Sequence, residues 1–268
     1  MFTYVMAQLT SSTDESESLR KARWAAEQAK EKYACDMLIF PEYFMSYYPA
    51  HTPPAVLAAA AQPLDGPFVC EMQKLAQETG LWLVFSINES YSDSQVYNTT
   101  LVVNDQGQRV AYYRKSHLYD AFRYRESDLY AKGDALFQPI DTPFGKLGLM
   151  VCYDIRFPEV ARYQALHGAQ VLLAPSGFVQ GERKITHWET LLRARAIENG
   201  LFVIAANHIS DKVFLGHSAA FDPNGDVLAI GSDTVEELIP VSVDLSVVSQ
   251  AREACPCLKN RRPELYEI

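Results

Sequence analysis

The sequence predicts an α/β domain in which mixed β-sheets are covered by helices. Apolar strand-like runs alternate with helix-like stretches through much of the chain, and hairpins interrupt that alternation in the middle. Several runs, LFVIAAN at 201–207 among them, are apolar on both faces, as strands buried on both sides are. There are more strands than one small sheet holds, which points to two stacked sheets.

Residues 2–9 alternate in strand fashion. Residues 14–34 read as a long surface helix, with acid at its start and base further on, the order that suits the helix dipole. DMLIF at 36–40 is a short buried strand ending at Pro41-Glu42. Residues 67–79 read as a helix, with Pro67 at a favoured first position and Gly80 as terminator. LWLVFSI, TTLVVN and RVAYYRK follow as strands, the last two joined by the turn Asp105-Gln106-Gly107. KLGLMVCYD at 146–154 reads as a further strand and Pro158–Gly168 as a helix. QVLLAPS is a strand, residues 183–199 a helix and LFVIAAN a strand. Three more strands lie between Ser218 and Leu245, with a turn at Asp222-Pro223-Asn224-Gly225. Residues 1–268 form one domain, with 246–268 a polar, charged stretch that is either a C-terminal arm reaching another subunit or a loosely packed tail.

Composition narrows the function. The chain has 268 residues, 48% of them hydrophobic, enough for a sizeable core. The formal charge of −9 is spread along the sequence, and no basic stripe offers a nucleic-acid surface. The apolar runs are far too short to span a bilayer, and MFTYVMAQLT lacks the basic start of a signal peptide. Five scattered cysteines point to free thiols and a cytoplasmic location. Six histidines with no ligand-like spacing disfavour a metalloenzyme.

Three residues share one feature: each follows the end of an apolar strand. Glu42 follows LIFP, Lys115 follows VAYYR and Cys152 follows GLMV. Ligands of α/β folds gather outside strand ends, so groups far apart in sequence can converge there. Cys152 taken alone is a buried strand cysteine acting as a small hydrophobe. The sharp turn to charge after it, Tyr153-Asp154-Ile155-Arg156-Phe157-Pro158-Glu159, puts it at the rim of the core. There a nearby cation would help to form the attacking thiolate. Glu42 beside Pro41 and Phe40 should have a raised pKa and could act as base, or could be a salt-bridge or capping acid. Lys115 could stabilise an oxyanion or be a solvated edge lysine. Glu126 is a candidate to hold Lys115 or to position water, with a surface acid as the alternative.

Phe40-Pro41-Glu42, Arg114-Lys115-Ser116-His117-Leu118-Tyr119-Asp120 and Cys152-Tyr153-Asp154-Ile155-Arg156-Phe157-Pro158-Glu159 resemble, in order, the three signature segments of the nitrilase superfamily of carbon–nitrogen hydrolases. The resemblance extends over almost the whole chain, including His187-Trp188 and Ala194-Arg195-Ala196-Ile197-Glu198-Asn199. It implies a four-layer αββα sandwich and no cofactor. It implies Glu42 as general base, Lys115 as oxyanion stabiliser, Cys152 as nucleophile and Glu126 as a second glutamate. The backbone N–H of Tyr153 would complete the oxyanion hole. It also implies a homodimer or larger assembly, with Pro158–Gly168 and the tail after Val247 as the pairing elements.

Cys152-Tyr153-Asp154 differs from the Cys-Trp-Glu of nitrilases and from the Asn-Asp-Arg-Arg-Trp of carbamoyl-amino-acid hydrolases. It is similar to the branch containing ω-amidase and deaminated glutathione amidase. The expected substrate is then a small linear amide with a distal carboxylate, for which Arg183 or Lys184 is the candidate cation. Nitrile or N-carbamoyl hydrolysis on the same scaffold is the alternative. A papain-like protease would instead need a histidine base such as His208 or His217, and an inactive binding protein would need neither.

Overall fold

The computed structural model describes residues 1–49, 51–122 and 124–266. The last two residues of the expected arm, Glu267 and Ile268, lie outside them.

The first sheet is ordered Glu237–Val243, Phe2–Gln8, Met37–Ile39, Trp82–Ser90, Val96–Val103, Arg109–Arg114, with Tyr130–Ala131 pairing beside Val96–Val103. The second is ordered Val227–Ile230, Ala219–Phe221, Phe202–Ala205, Val171–Leu173, Gly145–Leu149, Ile140–Thr142. Each sheet has three parallel strands at its centre and antiparallel strands on both sides.

Strand alternation separates the layers. Tyr4 and Met6 pack in a cluster with Leu147, Leu149 and Leu173 of the other sheet. Their neighbours Val5 and Ala7 pack with residues of two helices, α1 (Glu15–Tyr33) and α3 (Pro67–Thr79). Helices α4 (Pro158–Leu166) and α5 (Lys184–Asn199) supply Val160, Ala161, Trp188 and Leu192 to the core around the second sheet. The result is the expected αββα sandwich. A short helix, α2 (Pro54–Ala60), contributes buried Leu57.

Local sequence accounts for the helix ends. Asp14 caps α1 by accepting from the Ser16 N–H at 2.9 Å, and Ala22, Ala25, Ala26 and Ala29 form its buried stripe. Gly80 ends α3 at φ 68° and donates to Ala76. The hairpin turn forms at Asp105-Gln106-Gly107, where Asn104 pairs with Gln108 and Gly107 adopts φ 71°.

Two expectations are corrected. The strand read as continuing through Cys152 ends at Leu149, and residues 152–156 form a 3-10 turn opened by Cys152 at φ 45°. Asp154 helps to hold the turn, its carboxylate accepting from the Val151 N–H at 2.9 Å. The C-terminal stretch is also not uniformly loose. Ser246–Ala254 forms helix α6, which buries Val248, while Arg252 donates to the carbonyls of Gly200 and Ala169. Beyond it the chain is mostly exposed.

Candidate active site

Glu42, Lys115 and Cys152 line one cavity of about 850 Å³, at the end of the sandwich where strands of both sheets terminate. Backbone hydrogen bonds fix each approach. The chain leaving Met37–Ile39 is held by Phe40 N–H to Val84 and Met45 N–H to Ser86, which carries Glu42 inward. Lys115 N–H donates to Asn98 and its carbonyl accepts from Gly133. A Cβ on Gly133 would lie 2.1 Å from the Arg114 carbonyl oxygen, so only glycine lets that loop cross so close. Cys152 N–H donates to Pro175 of the adjoining strand end. The φ of 45° at Cys152 is strained for a side-chain-bearing residue, of order 1–2 kcal/mol, and turns it out of the strand direction.

Glu126 belongs to the same constellation. Its carboxylate is fully buried and accepts from Lys115 Nζ at 3.0 and 2.8 Å, from Tyr43 Oη at 2.7 Å and from the Tyr119 N–H at 2.6 Å. Glu42 is also fully buried. Its Oε1 accepts from Lys115 Nζ at 2.8 Å and Asn98 Nδ2 at 2.7 Å, and its Oε2 from the Gly177 N–H at 2.8 Å. Lys115 is therefore a buried ammonium shared by two carboxylates. Such a cluster is tolerable out of water because its charges are paired and hydrogen-bonded.

The charges determine protonation. Burial pushes the Glu42 carboxyl up, Glu126 adds to the rise, and Lys115 opposes it. Burial pulls Lys115 down, but Glu126, Glu42 and Cys152 outweigh it and hold the ammonium well above the usual lysine value. Cys152 is governed by the same charges. Burial and the Glu42 charge push its thiol well above 9.0, with Lys115 opposing and Glu126 adding to the rise. One cation faces two carboxylates, so Cys152 rests as a thiol, and an attack through its sulfur would need a base.

The candidate cations separate. Arg183 is exposed at the cavity rim and pairs with exposed Glu182. Lys184 is buried in the wall, where Nζ donates to Tyr119 Oη at 3.0 Å and lies 4.3 Å from the Phe122 ring centroid and 5.4 Å from that of Phe178. Burial, then the Arg156 charge, lowers its pKa. Tyr153 lines the cavity, and its backbone N–H lies in the first turn of the 3-10 segment, where no intrahelical acceptor is available.

The histidines needed by a protease do not serve this thiol. His208 is buried on the Leu9 carbonyl and His217 pairs with Glu189. His117 stacks on Phe157 and contacts Asp154 at 2.8 Å, a packed and hydrogen-bonded role. Sequence reasoning missed Asn98, Tyr43 and Gly177, which hold the two glutamates. Only Asn98 left a signal, a polar Asn-Thr-Thr run inside the apolar strand Val96–Val103.

A family model described as carbon–nitrogen hydrolase matches residues 5–253. Deaminated glutathione amidase of Rattus norvegicus is 37% identical over 279 residues, covering 97% of this chain and 82% of that protein. The nitrilase and fragile histidine triad fusion protein NitFhit of Drosophila melanogaster is 34% identical over 99% of this chain, which spans only 58% of the fusion. Among solved structures, a carbon–nitrogen hydrolase from Helicobacter pylori G27 superposes with TM-score 0.90 at 28% identity, covering 99% of this chain and 96% of that one. A mutant amidase from Nesterenkonia sp. AN1, its active-site cysteine modified by Michael addition of acrylamide, gives TM-score 0.84 at 26% identity and covers 99% and 98%. With the fold, the buried Glu–Lys–Glu cluster and the strained cysteine turn in place, these matches show that the chain belongs to the carbon–nitrogen hydrolase family.

Proposed function

We propose that this chain hydrolyses a small linear amide to a carboxylic acid and ammonia through a thioester on Cys152, and that the amide carries a carboxylate at its far end. The observation that carries the reading is one cavity holding the Cys152 thiol, the Glu42 carboxylate and the Lys115 ammonium, with the buried Lys184 ammonium in its wall. The similarity to deaminated glutathione amidase supports the amide and its anionic end.

The steps follow from the protonation states. Glu42 Oε1 already accepts two hydrogen bonds and Oε2 one, which leaves Oε2 the freer acceptor for the thiol proton. Cys152 Sγ attacks the amide carbonyl as that proton leaves, and the negative charge moves onto the carbonyl oxygen. Lys115 and the Tyr153 N–H stabilise it. Glu42 returns the proton to the departing amine, ammonia leaves and the thioester remains. Water, deprotonated by Glu42, attacks the thioester; collapse releases the acid and restores the thiol.

A distal carboxylate on Lys184 would supply the charge partner that Tyr119 Oη and the aromatic rings do not. A hydrogen bond to a charged group is worth about 1.5–3 kcal/mol. Lys184→Ala should therefore lower kcat/KM for a carboxylate-bearing ω-amide by about 10- to 150-fold relative to its neutral analogue. Arg183→Ala, at the exposed rim, should not discriminate between them. Equal losses on both amides in Lys184→Ala would overturn the carboxylate assignment while leaving amide hydrolysis standing.

A further inference from the structure

Away from the active site, the end of α6 presents a second pair of sulfur groups. Cys255 and Cys257 are both exposed free thiols with their sulfurs 3.4 Å apart. The spacing has a backbone cause. Cys257 N–H donates to the Cys255 carbonyl at 2.8 Å, a three-residue turn centred on Pro256. The proline ring fixes φ near the value that an inverse γ-turn requires, so both side chains are held together before any reaction. The amides of Lys259 and Asn260 then fold back onto the Pro256 carbonyl and close the turn from the other side. On the helix side, Arg252 ties α6 to the carbonyls of Asn199, Gly200 and Ala169, so the dithiol sits on an anchored element.

We propose that Cys255-Pro256-Cys257 is a reversible modification site that closes to an intramolecular disulfide by exchange with a low-molecular-weight disulfide such as oxidised glutathione. The Cys255 thiol is raised from its ordinary value by its hydrogen bond to Cys257 and then by that neighbour's charge. The Cys257 thiolate attacks one sulfur of the glutathione disulfide and one glutathione thiolate leaves, giving a mixed disulfide. Cys255 loses its proton and attacks Sγ of Cys257, expelling the second glutathione. Two protein thiols are oxidised by two electrons, and one glutathione disulfide is reduced to two glutathione thiols. The sulfurs must approach from 3.4 Å to roughly 2.05 Å, and an exposed, tightly turned disulfide of this kind is readily reduced again.

The other cysteines do not compete in the same way. Cys35 is buried, and burial followed by the Asp36 charge drives its thiol up to about 12. Cys152 is buried in the cavity. Cys70 is exposed and its sulfur contacts the Asp65 carbonyl, with no thiol contact of its own among the described residues, so it can only retain an adduct.

The test incubates the native full chain, as Cys70→Ser, with oxidised glutathione, blocks remaining thiols under denaturing conditions and maps peptides by mass spectrometry. The expected result is a 255–257 disulfide that dithiothreitol reverses, with Cys152 still open to blocking. Cys255→Ser and Cys257→Ser should each instead retain one glutathione on the surviving cysteine. A stable glutathione adduct on the unsubstituted pair, or two free thiols there while the single-serine variants are modified, would overturn the proposal.

Discussion

Replacing Glu126 with glutamine probes the claim that a second buried carboxylate holds Lys115 in place. The glutamate accepts five hydrogen bonds, two of them from Lys115 and a longer one from Asn98 Nδ2 at 3.4 Å. Glutamine can turn its amide toward Tyr43, whose hydroxyl can accept, and keep its oxygen on Tyr119 and Lys115. What it cannot replace is the negative charge, nor the acceptor that Lys115 Nζ and Asn98 Nδ2 also use at Oε1. Removing one partner from a buried ion pair costs about 3–5 kcal/mol, and Glu42 remains as a counter-ion, so the lower figure of about 3 kcal/mol applies. At about 2–4 °C per kcal/mol for a large domain, the melting midpoint should fall by roughly 6 °C or more. Turnover should fall by about 10²–10³-fold, the cost of disturbing one oxyanion donor. The assay is ammonia release beside thermal unfolding, with Glu126→Asp as a variant that keeps the charge. Unchanged turnover and unchanged melting in Glu126→Gln would refute the shared-ammonium account.

The same charges set the pH dependence. Glu42 must be ionised to act as base, and its carboxyl is raised by burial and then by Glu126 against Lys115, so kcat/KM should rise with pH through a value above the ordinary 4.5. It should stay level beyond, because the Cys152 thiol and the Lys115 ammonium both lie higher. Glu126→Gln should move the acid limb to lower pH, and a limb at the imidazole value of about 6.5 would contradict a carboxylate base. His208 should make the fold acid-sensitive: burial drives its imidazole from 6.5 down to about 4. The unfolded chain takes up that proton first, so the stability is fully present above pH 6.5 and lost as pH falls to about 4. At 1.36 kcal/mol per pH unit the loss is about 3 kcal/mol. Urea unfolding of His208→Asn should show a flatter pH dependence in that window; an unchanged slope would contradict the assignment.

The sequence made the reactive residues legible because each breaks an apolar run at a strand end, where a buried site can open. It made the helix ends legible for a related reason: Asp14, Pro67 and Gly80 act on their own backbone. Asn98, Tyr43 and Gly177 stayed hidden because they act across tens of residues, through contacts that only the stacked sheets create. The cation expected to favour a thiolate at Cys152 is present but outweighed. One lysine was weighed, whereas two carboxylates share its charge beside the sulfur. Helix α6 was obscured because Val248 is its only fully buried side chain. Arg183 and Lys184 were indistinguishable as neighbours in sequence, and the cavity wall separates one from the other.

The most direct test of the account is to trap the acyl-enzyme. With a slow amide substrate, rapid quenching and peptide mass spectrometry should find the acyl group on Cys152, and Cys152→Ala should remain folded with neither adduct nor ammonia release. An adduct on a different residue, or ammonia release persisting in Cys152→Ala, would contradict it.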